Sequence, residues 1–168
     1  MKLVYLLLIP FLWLQADSRV DHIRERYQQI NAKISTYRHI EIESEEESSE
    51  GGAVTGYLSK DTVMLIVEDV YGEMGKTRTE IYFDHAAPVF IYDRDYKYSR
   101  PMYDSTFDEK ETQIAEDRTY FYNNKMIRWI DKEHKIKAER DPAFTEKEQV
   151  LLKYARGLYK RIIAEGRQ

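Results

Sequence analysis

Between residues 53 and 131 short runs of β-branched and aromatic residues alternate with turn residues, and this pattern leaves the chain few folds to choose from. The runs "AVTGYLS", "TVMLIVEDVY", "KTRTEIYF" and "VFIYDRDY" are separated by Lys60-Asp61, "GEMG" and "DHAAP". Each run has strand length and each interruption hairpin length, so neighbours in sequence pair antiparallel as a meander. A last hairpin is read over 114–131 around Asn123-Asn124, residue types that accept the positive φ of a type I′ turn. With a first strand over 37–42 and a short one around Ile136, the sheet reaches about 6–8 strands.

Helical periodicity flanks this meander. Val20, Ile23, Tyr27, Ile30 and Ile34 recur at intervals of three and four and form one apolar stripe, with Ser18 and Asp21 as a candidate capping pair. A second stripe, Val150, Leu151, Tyr154, Ala155, Leu158 and Ile162, follows a capping box read at Thr145 and Glu148 and precedes Gly166. The expected fold is α+β: an N-terminal helix, an antiparallel meander that is curved or closed to a half-barrel, and a C-terminal helix packed on the sheet.

Residues 1–18, "MKLVYLLLIPFLWLQADS", set one Lys before an apolar run from 3 to 14, the layout of a secretory signal peptide. The run is too short to span a bilayer, which disfavours an uncleaved anchor. Ala16 and Ser18 put small residues before a cleavage that leaves 19–168 as a single mature domain; cleavage after Ala16 is the alternative. The chain has no cysteine, so neither a disulfide framework nor a lipid-anchored Cys is available, and with no Asn-x-Ser/Thr acceptor a bacterial periplasmic or extracellular location is expected. Residues 19–124 carry 13 basic and 22 acidic side chains, and residues 125–168 carry 12 basic and 7 acidic. Halves of opposite charge pack together, and an acidic exported protein is not expected to bind nucleic acid.

The stretches "EIYFDHAAPVFIYD", 80–93, and "RTYFYNNKMIRWID", 118–131, echo one another. With Asn123-Asn124 as the turn, regular alternation places Arg118, Tyr120, Tyr122, Ile127 and Trp129 on one face and Phe121, Met126 and Ile130 on the other. Apolar bulk on both faces requires cover on both. Helices covering everything would make the aromatics core, the reading favoured by the usual role of large aromatic side chains. An open face would make Arg118, Tyr120, Tyr122 and Trp129 a groove for an aromatic or anionic ligand, joined by Tyr96 beside the long 97–113 connection and Tyr98 and Tyr103 within it.

Motifs for other chemistry are weak. His22, His39, His85 and His134 fall on separate elements with no ligand spacing, so no metal and no cofactor are expected. "DRDY" lacks the Gly and terminal Glu of a calcium loop. The chain contains no nucleophile elbow and no phosphate-binding glycine loop, although Asp93 or Asp117 near a sheet rim remains a candidate for a carboxylate-dependent hydrolase.

Through its two "YFD"-type hairpin stretches, set between terminal helices, the chain resembles exported bacterial single-domain proteins of uncharacterised function. The resemblance implies a fold and a location but no catalytic residues. By architecture, a curved sheet crossed by a helix is also similar to small-ligand and lipid-carrier half-barrels. The expected function is a non-enzymatic exported module that binds a protein, glycan or lipid, with a small hydrophobic-ligand carrier and a hydrolase as alternatives.

Overall fold

The computed structural model describes residues 17–46, 48 and 50–167; residues 1–16 of the expected signal peptide lie outside the described residues. The helix α1 (Ser18–Ala32) and a 3₁₀ turn (Ile34–Thr36) lead into β1 (Arg38–Glu43), β2 (Gly52–Ser59), β3 (Thr62–Gly72), β4 (Gly75–Asp84) and β5 (Ala87–Lys97). After the 97–113 connection come β6 (Gln113–Tyr122), β7 (Lys125–Ile130) and α2 (Pro142–Glu165). The seven strands pair antiparallel in sequence order, with β1 and β7 as the two edges. The sheet is open and uncurled, so the half-barrel alternative is not realised. The expected strand at Ile136 is reduced to a bridge with Ile130, because the chain turns tightly at 131–135, held by Asp131 N–H to the Lys135 carbonyl, and returns to β7 through Lys137 N–H to the Trp129 carbonyl, each 2.9 Å.

The two helices cover opposite faces. Val20, Ile23 and Ile30 of α1 pack with Leu65, Val67, Tyr82, Phe90 and Tyr120. Phe144, Leu152, Ala155, Leu158 and Ile162 of α2 pack with Val54, Leu58, Val63, Ile66, Ile81, Phe83, Ile91, Phe121 and Met126. Strands buried on both sides lose the simple alternation of apolar and polar residues, which is why β3 is unbroken apolar over 63–67 and β4 over 81–83.

Three hairpins share one construction. In β2–β3, β4–β5 and β6–β7 a two-residue turn is followed by a register shift at an equivalent place, with Tyr57, Tyr82 and Tyr120 before the shift and Leu58, Phe83 and Phe121 after it. Lys60, His85, Ala86, Asn123 and Asn124 all have positive φ, as tight hairpin turns of the primed type require. Met64, Val89 and Ile127 are the extra residues opposite the shift, and all three pack on the α1 side. The echo at 80–93 and 118–131 is therefore a hairpin design with a third copy at 57–65. The design also overturns the simple face assignment: Tyr120 pairs with Arg128, Thr119 with Trp129 and Arg118 with Ile130. Trp129 consequently lies on the α2 side with Phe121, whereas Tyr120 and Ile127 lie on the α1 side.

The helix ends also differ from expectation. Asp17, one residue before Ser18, caps α1 by accepting the Arg19 N–H at 3.1 Å. Asp141 caps α2 by accepting from Ala143 N–H at 3.0 Å with Pro142 at the first helical position, so the helix begins three residues before Thr145. Glu148 is thus free to accept the Met126 N–H at 2.6 Å. The stripe shifts accordingly: Val150 is 59% exposed, while Phe144 and Leu152 are buried. Further along, Ile162 passes directly over Gly56, where an added Cβ would collide with the isoleucine side chain. Gly56→Ala should cost about 1–3 kcal/mol in urea unfolding, the scale of core overpacking.

Candidate functional site

The α1 helix crosses only the end of its face where the three bulged hairpins turn. Beyond it, β5 presents Phe90, Tyr92, Arg94 and Tyr96 in sequence steps of two on one face of the sheet. β6 adds Arg118 and Tyr120 beside them, since Tyr92 pairs with Arg118 and Phe90 with Tyr120. Ile23, Arg24, Tyr27 and Gln28 of α1 close the other side, leaving a cleft of ≈ 320 Å³. Its floor is a run of packed rings: Phe90 lies 4.8 Å from Tyr120 and 6.0 Å from Tyr92 between centroids, with Tyr27 edge-on to Phe90 at 5.7 Å.

Away from α1 the same face continues as a ladder of cations on aromatic rings. Arg118 lies 5.5 Å from the Tyr92 ring, Arg94 4.7 Å from Tyr92 and 6.0 Å from Tyr96, and Lys76 5.0 Å from Tyr96. Carboxylates knit the arginines together. Glu80 accepts from Arg94 and, at 3.3 Å, from Arg78, which also reaches Asp69 at 3.1 Å. Glu116 accepts from the Tyr92 hydroxyl and from Arg118, and the Tyr92 contact helps hold its carboxyl below the usual range. Burial and Glu116 push the Tyr92 phenol up, keeping it a neutral donor at physiological pH. The ladder ends at a second cleft of ≈ 610 Å³ where the 97–113 connection folds over the sheet, lined by Tyr96, Tyr98, Met102, Phe107 and Ile114 among others.

The residues singled out from the sequence are thus dispersed. Arg118 and Tyr120 line the first cleft, although Tyr120 is only 6% exposed and is also core. Tyr96 and Tyr98 line the second, with Tyr98 buried and edge-on to Phe107 at 5.4 Å. Tyr103, 75% exposed, donates to Glu73, and Tyr122 stands exposed near Arg19. Trp129 belongs to the opposite face. Tyr92, Arg94 and Phe90 were not singled out, yet the step of two through "VFIYDRDYKY" carries their signal.

On the α2 side a row of polar residues crosses the sheet by register, Glu68 to Thr79, Thr79 to Asp93 and Asp93 to Asp117. Directly opposed residues stand about 4.5–5.5 Å apart at Cα, so Asp93 and Asp117 are the close carboxylate pair considered for hydrolysis. Their partners are structural. Asp117, 4% exposed, accepts from Trp129 Nε1 at 2.8 Å and pairs with Lys147 of α2 at 3.1 Å. Glu68 accepts from Ser44 and from Tyr154 of α2. Asp93 accepts from Thr79 Oγ1 at 2.8 Å, and its burial pushes the carboxyl up, with Asp117 adding to the rise. A carboxyl raised above its unfolded value binds its proton more tightly in the native state, so its ionisation lowers stability as pH rises through the raised value. Asp93→Asn, which keeps an acceptor for Thr79, should therefore raise the melting temperature at pH 7 and lose that advantage below about pH 4, where unfolded Asp also protonates. Equal gain at both pH values would show that ionisation is not the cause.

Among the described residues, no group of three His, Asp or Glu side chains is placed to hold a metal ion, and no helix is long and apolar enough to cross a membrane. The chain matches no protein-family model, and neither curated proteins nor solved structures show significant similarity to it.

Proposed function

We propose that the protein is an exported, non-enzymatic binding module that uses the α1-side face of its sheet. The observation that carries this reading is the incomplete cover of that face: two clefts joined by the Tyr92–Arg94–Tyr96 ladder, with aromatic area and hydrogen-bonding groups set side by side. The opposite face supports it by contrast, since the carboxylates there are engaged in docking α2. Native mass spectrometry of the mature protein, purified from the exported fraction of its host, tests the proposal. A retained small molecule or co-purifying chain, lost on Tyr92→Ala and Tyr96→Ala substitution, is expected. A bare monomer, together with turnover in a hydrolase screen that disappears in Asp93→Asn, would replace it with the hydrolase alternative.

The carrier alternative draws support from the apolar floor of the smaller cleft, formed by Ile23, Tyr27, Phe90 and Tyr120. For export, the cap on α1 favours cleavage after Ala16: it retains Asp17, whereas cleavage after Ser18 removes both the cap and the first helical residue. An intact mass beginning at Asp17 is expected from the exported protein; one beginning at Arg19 would favour the later site.

A further inference from the structure

We infer that the cleft between α1 and β5–β6 is a binding site for a small aromatic anion, a ring system bearing one carboxylate, sulfonate or phosphate group. The inference deepens the proposed binding function and rests on it. Size sets the first limit, because ≈ 320 Å³ lies at the lower end of small-molecule sites and suits a ligand of one or two fused rings rather than a polymer. The floor sets the second, since the half-buried Tyr27 ring and the ring edges of Phe90, Tyr92 and Tyr120 that reach the cleft give a flat aromatic body offset or edge contacts.

Charge selects among aromatic ligands. The lining side chains include two cations, Arg24 and Arg118, and no carboxylate. Arg24 gives Nη1 to Asp21 at 2.9 Å and Arg118 gives Nη2 to Glu116, so each guanidinium, with five N–H donors, keeps donors for a ligand. The two arginines stand on different elements, α1 and β6, so one acidic group at the mouth can accept from both sides. A cationic ligand is disfavoured, because the ring it would seek on Tyr92 already has Arg94 at 4.7 Å and Arg118 at 5.5 Å. A neutral ring would cover the arginine rim without supplying an acceptor, which carries a desolvation cost.

Titration of the ¹⁵N-labelled mature protein with 1-naphthoate, 1-naphthalenemethanol and 1-naphthylmethylammonium, followed by amide shifts, tests the charge and the place together. Naphthoate is expected to bind one to one, shifting Arg24, Gln28, Tyr92 and Arg118, and Arg24→Gln should weaken it about tenfold, with a further loss in the Arg118→Gln variant. The alcohol should bind more weakly and be indifferent to Arg24→Gln. Arg24 is exposed and on a helix surface, so its replacement leaves the fold intact and makes the comparison decisive. Alcohol or ammonium binding as tightly as naphthoate, or naphthoate binding unchanged by both substitutions, would overturn the inference while leaving the face a binding surface. Naphthoate shifts confined to the 97–113 cleft would also overturn it. Absence of any shift on this face with all three probes, alongside a bare monomer from the host, would count against the binding function itself.

Discussion

Deletion of Ile91 should abolish the cooperative thermal transition, whereas deletion of Val89, two residues earlier, should leave it in place at a cost of about 1–3 kcal/mol, little more than the loss of two partly buried methyl groups in Val89→Ala. Val89 is the extra residue opposite the register shift between Tyr82 and Phe83. Its removal leaves a regular two-residue hairpin in which Phe83 still pairs with Pro88 and Tyr82 with Phe90. Val89 and Phe90 both pack on the α1 side, so every later residue of β5 keeps its face and Ile91 stays in the α2 core. Deletion of Ile91 has no such escape. If the bulge is kept, Tyr92 and Arg94 are driven under α2; if the bulge is given up, Phe90 is driven there in place of Ile91. Either route costs several kcal/mol in a protein whose total stability is on the order of 5–15 kcal/mol. Loss of the transition on deletion of Val89 as well, read by circular dichroism, would show that the bulge residue itself is needed to set the register.

Lys147→Met should cost about 2–4 kcal/mol in urea unfolding at pH 7, because it strands a buried carboxylate. Asp117, 4% exposed, loses the one ion pair it makes among the described residues and keeps Trp129 Nε1 and Thr119 Oγ1, two neutral donors. The figure sits toward the low side of the range for breaking a buried pair, since the Lys147 side chain keeps 23% exposure. Lys147 also lies 4.8 Å from the Trp129 ring, so part of the loss is the cation–π contact, which methionine replaces with sulfur. Addition of Asp117→Asn should recover about half of the loss, because an amide removes the stranded charge while its oxygen still accepts from Trp129. A single variant within about 0.5 kcal/mol of the parent would mean that the pair acts as an exposed surface bridge.

Much of this arrangement was legible in residues and their spacing. Hairpin runs fixed the number and order of strands to within the range expected, because two-residue turns tie each strand to its neighbour. The stripes of α1 and α2 were legible because helix periodicity survives in a surface helix. Misreadings followed from bulges and caps. Nothing in "YNNKMIRW" announces that Ile127 is an extra residue, yet that insertion sends Trp129 to the opposite face from Tyr120. The start of α2 was read late because Asp141-Pro142 and Thr145 with Glu148 both carry start signals, and only the contact of Glu148 with Met126 shows how the second set is used.

The groove was partly legible for the same reason. Arg118 was singled out within the aromatic hairpin, while the ladder through Phe90, Tyr92, Arg94 and Tyr96 lay in the plain alternation of β5. Local pattern by itself determined the α+β class, the meander and the amphipathic helices, since strands, turns and helical stripes depend on residues within a few positions of one another. Tertiary structure alone decided which helix takes which face, how far α1 reaches across its face, and hence that Tyr92 and Arg94 border an open cleft while Asp117 lies under α2. Those outcomes depend on register at three bulges and on the packing of residues more than a hundred positions apart, as where Ile162 rests on Gly56, and no local periodicity encodes them.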